Sequence, residues 1–217
     1  MRVEIFSDVV CPWCYIGKRR LESAVENLTA AGRTPDVEIE FRPFQLDPAA
    51  ALDAATPVWD AYAKKFGSEQ RATEIITHVT EIAAKDNIMF RMDRALRANT
   101  MFAHRLSYIA LRDFGCHVQT RLEELLFKSY FTDGANIGDI DVLTACADEV
   151  GMDGALTRIQ LLGNDALAEV EAELRLAAEI GISAVPTFVF DGKWSVPGAQ
   201  DVEVFERVLL RLTERAD

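Results

Sequence analysis

The segment Cys11-Pro12-Trp13-Cys14 determines the interpretation of the chain, because it joins a predicted strand to a predicted helix. Residues 2–7 before it are mostly apolar, and residues 12–31 carry apolar side chains at helical spacing. Pro12 stands at the first helical position, where the missing N–H of a proline costs nothing. Cys11 is therefore expected at the helix N-terminus, where unpaired N–H groups and the helix dipole stabilise a thiolate.

The spacing of the two cysteines predicts redox chemistry. Cys14 is still in the first helical turn, so that its sulfur can reach Cys11 and close a small disulfide ring. We expect Cys11 to be the nucleophile and Cys14 the resolving thiol. The alternatives are a zinc half-site or two unrelated core cysteines. Zinc requires about four ligands; Cys116 and Cys146 lie far apart, and the histidines form no ligand pair, so no metal site is expected.

The sequence around these cysteines resembles the active-site opening of the DsbA-like thioredoxin-fold oxidoreductases. The similarity is closest to the FrnE-type branch, which is related to the 2-hydroxychromene-2-carboxylate isomerases. It rests on four segments spread over the whole chain: Ser7-Asp8-Val9-Val10-Cys11-Pro12-Trp13-Cys14-Tyr15-Ile16-Gly17, Arg42-Pro43-Phe44-Gln45-Leu46-Asp47-Pro48, Ala98-Asn99-Thr100 with His104-Arg105-Leu106, and Gly181-Ile182-Ser183-Ala184-Val185-Pro186-Thr187.

The hydrophobic pattern and this resemblance predict an α/β thioredoxin fold with a large all-helical insertion. The N-terminal part has β-α-β character, and strand character returns only at Thr187, followed by a hairpin turn and a final helix. We expect residues 1–44 and 165–217 to form the thioredoxin-like domain. Residues 45–164 are expected to form the helical insertion and to cover the active site.

The resemblance also assigns roles to residues around the cysteines. It implies a cis bond between Val185 and Pro186, in a loop that faces the cysteines. The backbone of Val185 would then pair with a peptide substrate as an added strand. Trp13, which stands between the cysteines, is expected to form an apolar wall for a docking substrate, and the alternative for this side chain is simple packing.

Asn99 and His104 have two interpretations. Their spacing alone indicates a turn residue and a partly exposed helix residue. The resemblance places them on the face that covers the active site, where both would bind substrate. There His104 would hydrogen-bond the substrate or stabilise the Cys11 thiolate.

Composition limits the partners. The chain of 217 residues carries 23 basic and 35 acidic side chains, a formal charge of −12, with no basic stripe. Nucleic acid and anionic membranes are therefore not expected as main partners. No apolar run approaches the roughly 18 residues of a membrane span. Residues 1–8 contain acids where a secretory signal would be apolar, so we expect a cytoplasmic protein, as a monomer or homodimer.

The function expected from the sequence is a thiol–disulfide oxidoreductase that acts through a mixed disulfide with protein, peptide or small-thiol partners. No cofactor is expected, although glutathione could serve as a co-substrate. One alternative is a glutathione-dependent isomerase of a small aromatic substrate. Such relatives typically lack the second cysteine, so that Cys14 favours redox chemistry. Another alternative is a non-enzymatic, thioredoxin-like redox-sensing module.

Overall fold

The computed structural model describes residues 1–52 and 55–214. A four-stranded sheet in the order β2-β1-β5-β6 lies at its centre. Strand β1 (Arg2–Ser7) pairs in parallel with β2 (Glu38–Pro43) and antiparallel with β5 (Thr187–Phe190). Strand β6 (Trp194–Pro197) pairs antiparallel with β5 and forms one edge of the sheet. The predicted α/β thioredoxin fold is confirmed.

Helices surround this sheet, and most of them lie between β2 and β5 in the chain. In the described ranges they are α1 Pro12–Ala30, α2 Val58–Phe66, α3 Glu69–Lys85, α4 Met101–Phe114, α5 Cys116–Lys128, α6 Ile140–Glu149, α7 Gly154–Leu162, α8 Leu167–Glu179 and α9 Val202–Thr213. Helix α5 continues into a π-helical turn over Ser129–Asp133. Two-residue strands β3 (Thr56–Pro57) and β4 (Leu96–Arg97) pair with each other.

One hydrophobic core joins the sheet to the helices that lie between β2 and β5. Helix α9 packs on α1, whereas α4, α5 and α8 pack on β2. An aromatic stack links α1 to α5, because the Tyr15 ring lies parallel to Phe127 at a centroid distance of 5.0 Å. Aromatic rings bury large apolar areas, so this stack holds the helix that carries the cysteines against the helical part of the chain.

Gln119 of α5 covers the outer edge of β2. Its side-chain oxygen accepts from the Phe41 N–H at 2.9 Å, and its side-chain nitrogen donates to the Phe41 carbonyl at 2.9 Å. The same nitrogen lies 3.1 Å from the Ser107 hydroxyl of α4. The buried Gln119 side chain thus satisfies the N–H and the carbonyl of Phe41. These groups would otherwise stay unpaired at the edge of the sheet.

Helices α2 and α4 begin without a side-chain cap from the residue before them. Thr56 and Pro57 pair with β4 and Pro57 is extended, so α2 begins at Val58. The Thr100 side chain makes no capping bond to α4. The Asn99 side-chain oxygen instead accepts from the Met101 N–H at 2.9 Å.

Candidate active site

Cys11 occupies the N-cap position of α1 and is followed by Pro12 in the first turn. Its N–H donates to the Asp8 carbonyl at 2.9 Å, which closes the turn between β1 and the helix. Its own carbonyl accepts from the Cys14 N–H at 3.0 Å. The Cys11 sulfur therefore lies at the end of the helix that carries the unpaired N–H groups, the end that favours a thiolate.

Cys14 lies beside Cys11 but in different surroundings. Cys14 has no exposed surface, whereas Cys11 is 3% exposed and lines a cavity that opens to solvent. Burial, and then the neighbouring Cys11, raise the pKa of the Cys14 thiol well above its ordinary range. The Asp8 N–H and the Ser7 hydroxyl act in the opposite direction, but their effect is smaller. Both cysteines are free thiols, and Cys14 is the one held protonated.

The loop before β5 faces the cysteines. The Val185–Pro186 bond is cis, as predicted, and the Cys11 thiol donates to the Val185 carbonyl at 3.7 Å. Gly17 allows α1 to approach this loop closely. A Cβ atom at position 17 would lie 3.0 Å from the Phe188 ring and 3.2 Å from the Pro186 side chain.

The cavity beside Cys11 has a volume of about 420 Å³ and mostly apolar walls. Trp13, 37% exposed, forms one wall, and Val185 lines the cavity as well. The other walls come from the 44–50 loop and from α2 and α3: Leu46, Tyr62, Lys65, Phe66, Glu74, Ile75, His78 and Val79. Side chains between β2 and β5 thus form much of the surface that a substrate of Cys11 would meet. Of these eight residues, only Leu46 belongs to one of the four segments on which the resemblance rests.

Asn99 does not line this cavity. It is 6% exposed, and its side-chain nitrogen donates to the Ala50 carbonyl at 2.8 Å. Its oxygen caps α4 at Met101 and lies 3.4 Å from the Gln45 side-chain nitrogen. In the structure, Asn99 holds the 44–50 loop to the start of α4.

His104 also supports the 44–50 loop from behind. Its Nε2 lies 3.0 Å from the Phe44 carbonyl and 3.4 Å from Asp8 Oδ1. Because a carbonyl only accepts, Nε2 carries the proton. The other Asp8 oxygen accepts from the Leu46 N–H at 2.7 Å. Asp8 and His104 together fix the loop that brings Leu46 to the cavity. His104 does not line the cavity itself and affects it through the position of this loop.

A buried polar layer extends from this pair toward α5. We define it as Asp8, His104, Ser107, Gln119 and Glu123, each at most 5% exposed. The Ser107 hydroxyl donates to Glu123 at 2.6 Å. Burial raises the pKa of Glu123, although Ser107 and His104 act against the shift. Local sequence patterns do not indicate that Asp8, Gln119 and Glu123 belong to one layer, because their partners lie far away in the sequence.

Metal-ligating side chains do not cluster in residues 1–52 and 55–214, since no group of three or more histidines, cysteines and acids could hold an ion. No helix in the same ranges is long and apolar enough to span a membrane. Cys146 lies 3.5 Å from the Ser129 hydroxyl, and Cys116 is a half-buried free thiol at the start of α5.

Comparison with known proteins agrees with this geometry. The model of the DSBA-like thioredoxin domain matches residues 2–210. The chain belongs to this family. Its members are thioredoxin-fold oxidoreductases and isomerases. The helices between β2 and β5 lie within the matched range.

Individual relatives of this DsbA-like chain cover nearly all of it. A structure described as a probable DsbA oxidoreductase from Streptomyces coelicolor is 33% identical, covers 97% of this chain and 89% of its own, and superposes with a TM-score of 0.87. The uncharacterized protein YwbO of Bacillus subtilis is 29% identical over 96% of both chains. The cytosolic disulfide reductase DsbM of Pseudomonas aeruginosa, solved with GSH, is 15% identical over 99% of this chain and all of its own, with a TM-score of 0.67, and shares the fold.

Proposed function

We propose that the protein is a thiol–disulfide oxidoreductase in which Cys11 attacks a substrate disulfide and Cys14 resolves the product. One observation carries the proposal: two adjacent free thiols have unequal surroundings. Cys11 caps a helix N-terminus and lines a cavity, whereas Cys14 is fully buried with a raised pKa. A thiolate is the attacking form, so the first attack falls to Cys11.

The reaction follows from these positions. The Cys11 thiolate attacks one sulfur of a substrate disulfide, the substrate S–S bond breaks, and one substrate thiolate leaves. Cys14 then loses its proton and attacks the Cys11 sulfur of the mixed disulfide, and the second substrate thiolate leaves. The substrate gains two electrons and the protein keeps a Cys11–Cys14 disulfide. A thiol such as glutathione returns this disulfide to the dithiol.

The cavity and the Val185 loop indicate how substrates bind. The Val185 carbonyl contacts the Cys11 thiol, so a bound peptide would place its backbone beside the loop and its cysteine at the sulfur. Trp13 and Leu46 supply apolar contact area. Asn99 and His104, which we expected to touch substrate, enter the proposal as residues that position the loop carrying Leu46.

The relatives support the cellular setting of the proposal. DsbM is described as a cytosolic disulfide reductase and was solved with GSH. We therefore propose a cytoplasmic enzyme with glutathione as co-substrate and protein, peptide or small-thiol disulfides as substrates. The closer similarity to the FrnE-type branch stays a prediction. An isomerase that only positions glutathione has no use for a second thiol beside the first, so Cys14 favours the oxidoreductase.

Turnover of a simple disulfide tests this function. Hydroxyethyl disulfide is offered with glutathione, and its reduction is coupled to measurable glutathione oxidation. Cys11→Ala should abolish protein-dependent turnover, and Cys14→Ala should reduce it strongly. Cys116→Ala removes a thiol at the start of α5 and should leave the rate unchanged. Full activity of Cys11→Ala would reject the proposal.

A further inference from the structure

A second cavity adjoins the one that contains Cys11. Its volume is about 550 Å³. Four side chains line both cavities, namely Leu46, Tyr62, Lys65 and Phe66. The Tyr62 and Phe66 rings contact each other at a centroid distance of 5.4 Å. Because both rings line both cavities, we call this pair the partition. A ligand attached to the Cys11 sulfur could therefore extend past this partition into the second cavity.

About two thirds of the wall surface of the second cavity is apolar. Beyond the partition the walls consist largely of aliphatic carbon and one further aromatic ring, from Val10, Val58, Ala61, Ala98 and Tyr130. A volume of this size is in the range of small-molecule sites, which reach roughly 300–1,000 Å³. Such walls favour an occupant with an apolar body.

The polar groups without partners in this cavity are mainly donors. Tyr130 is 2% exposed, and neither its hydroxyl nor that of Tyr62 has a hydrogen-bond partner in the described ranges. Burial raises the pKa of Tyr130, and burial followed by Cys11 raises the pKa of Tyr62 to about 12, so both hydroxyls keep their protons at neutral pH. Among the described residues, neither hydroxyl is a fully buried polar atom without a partner. Each is therefore accessible, and in the cavity it can donate to an acceptor on a ligand.

The charges at the rim agree with an anionic occupant. Lys64 and Lys65 line the cavity and are exposed, whereas Arg97 is paired with Asp47 at 2.6 Å. Asp60 is the remaining acid in the lining, so the lining carries three cations and two acids. Its formal charge is therefore +1, in a chain whose formal charge is −12.

We propose that this second cavity binds the carboxylate-bearing apolar group of a small disulfide whose sulfur is attacked by Cys11. Tyr130 and Tyr62 would donate to the carboxylate or another acceptor, and the two lysines would supply the opposite charge. The inference rests on the proposed oxidoreductase function and adds to it a substrate class: small disulfides of aromatic or aliphatic thiol acids.

Three disulfides with different bodies and charges test this substrate class. The disulfide of thionitrobenzoate is aromatic and anionic, dithiodipyridine is aromatic and neutral, and hydroxyethyl disulfide is aliphatic and neutral. Each is mixed with the reduced protein, and the second-order rate of thiol release is measured by stopped flow. Two thiols leave per disulfide as Cys11 and Cys14 become oxidised, and dithiothreitol regenerates the dithiol between runs.

The variants remove one feature at a time. Tyr130→Phe removes a hydroxyl and keeps the ring, and Lys64→Gln removes the charge of the lysine that lines only the second cavity. Tyr130→Phe should lower the rate with the thionitrobenzoate disulfide about tenfold, as expected for the loss of a hydrogen bond to a charged group. Lys64→Gln should lower it by up to about fivefold, as expected for an exposed ion pair. The rates with the two neutral disulfides should change less than about twofold. Lys193→Gln, in the turn between β5 and β6, is the matched control and should change none of the rates.

A measurement without redox chemistry separates this inference from the proposed function. Nitrobenzoate lacks a thiol, and calorimetry should detect its binding to the unmodified protein and a weaker binding to Tyr130→Phe. Equal losses with all three disulfides, or no loss with the anionic one, would overturn the inference and leave the oxidoreductase function intact. Failure of the unmodified protein to react with any disulfide would overturn the function itself.

Discussion

On the cavity side of Cys11, the hydroxyls of Tyr62 and Tyr130 have no hydrogen-bond partner within the described part of the chain. In the buried polar layer behind it, Gln119 satisfies two backbone groups of β2, and Glu123 accepts from Ser107. Most polar groups of this layer bond to one another or to the backbone, and Asp8 Oδ1 is the buried exception among its described members. The two tyrosine hydroxyls belong to side chains that line a cavity, and we expect this difference to separate positioning residues from binding residues.

Gln119 should show the largest effect on stability. Gln119→Leu leaves the N–H and the carbonyl of Phe41 buried and unpaired, and each such group costs about 1–3 kcal/mol. We expect the free energy of unfolding to fall by about 2–4 kcal/mol. Urea denaturation measures this change. Gln70→Leu, at an exposed position on α3, should change stability by less than about 0.5 kcal/mol. Equal effects of the two variants would show that the polar layer is not structural.

His104 should show a smaller effect. His104→Leu removes the donor to the Phe44 carbonyl, and we expect a loss of about 1–3 kcal/mol in the free energy of unfolding. His104→Gln can place an amide nitrogen near the same carbonyl and should recover part of that loss. KM for a disulfide should change little once only folded protein is counted. A large rise in KM with unchanged stability would instead indicate that His104 binds the substrate.

Glu123 should give the polar layer a distinct pH dependence. Burial raises the pKa of Glu123 from its ordinary value of 4.5, so the folded state favours the protonated form. Its stabilising contribution is complete below pH 4.5 and is lost as the pH rises through the raised pKa. The measured quantity is the difference between the free energies of unfolding of the unmodified protein and of Glu123→Gln. This difference should decrease as the pH rises through the raised pKa of Glu123.

Glu124, the next residue, provides a control of opposite sign. Lys18, followed by the hydroxyl of Tyr15 and by Arg19, lowers the pKa of Glu124 despite burial. Its stabilising contribution is present above the ordinary carboxyl pKa and is lost as pH falls through the lowered one. The same difference measured for Glu124→Gln should therefore increase as pH rises. Parallel slopes for the two variants would contradict the assignment of Glu123 to a buried layer.

Tyr62 should show the smallest effect on stability. Tyr62→Phe removes a hydroxyl that has no partner among residues 1–52 and 55–214, so the free energy of unfolding should change by less than about 0.5 kcal/mol. Thermal unfolding of the two proteins checks this expectation. A loss above about 1 kcal/mol would mean that the hydroxyl is already engaged in the fold.

The sequence predicted those features that depend on neighbouring residues. The strand, the CxxC segment and the helix follow from local periodicity, and the turn at Asp191 and Gly192 follows from two residues that accept a positive φ. The cis bond before Pro186 came from the resemblance alone. The contacts of Asn99 and His104 were not predicted, because their partners lie in the 44–50 loop, about fifty to sixty positions away. Local spacing carries no signal of such contacts.

The second cavity was not predicted for the same reason. Tyr62 and Tyr130 stand on helical segments where an aromatic residue normally indicates packing, and no spacing relates them to Cys11. Only the folded chain shows that α2 brings Tyr62 between the two cavities. The surface that a substrate would contact is therefore formed by helices whose hydrophobic patterns, taken one at a time, indicate packing in the hydrophobic core.

Trapping the covalent intermediate shows which cysteine attacks the substrate and which one resolves the mixed disulfide. Cys11→Ser and Cys14→Ser are each incubated with oxidised glutathione at neutral pH, quenched with acid and analysed by intact mass. Cys14→Ser should accumulate one glutathione adduct at Cys11, because no thiol remains to release it. Cys11→Ser should form none at Cys14, which is buried and held protonated. Equal adducts in both variants, or an adduct only at Cys14, would contradict the account.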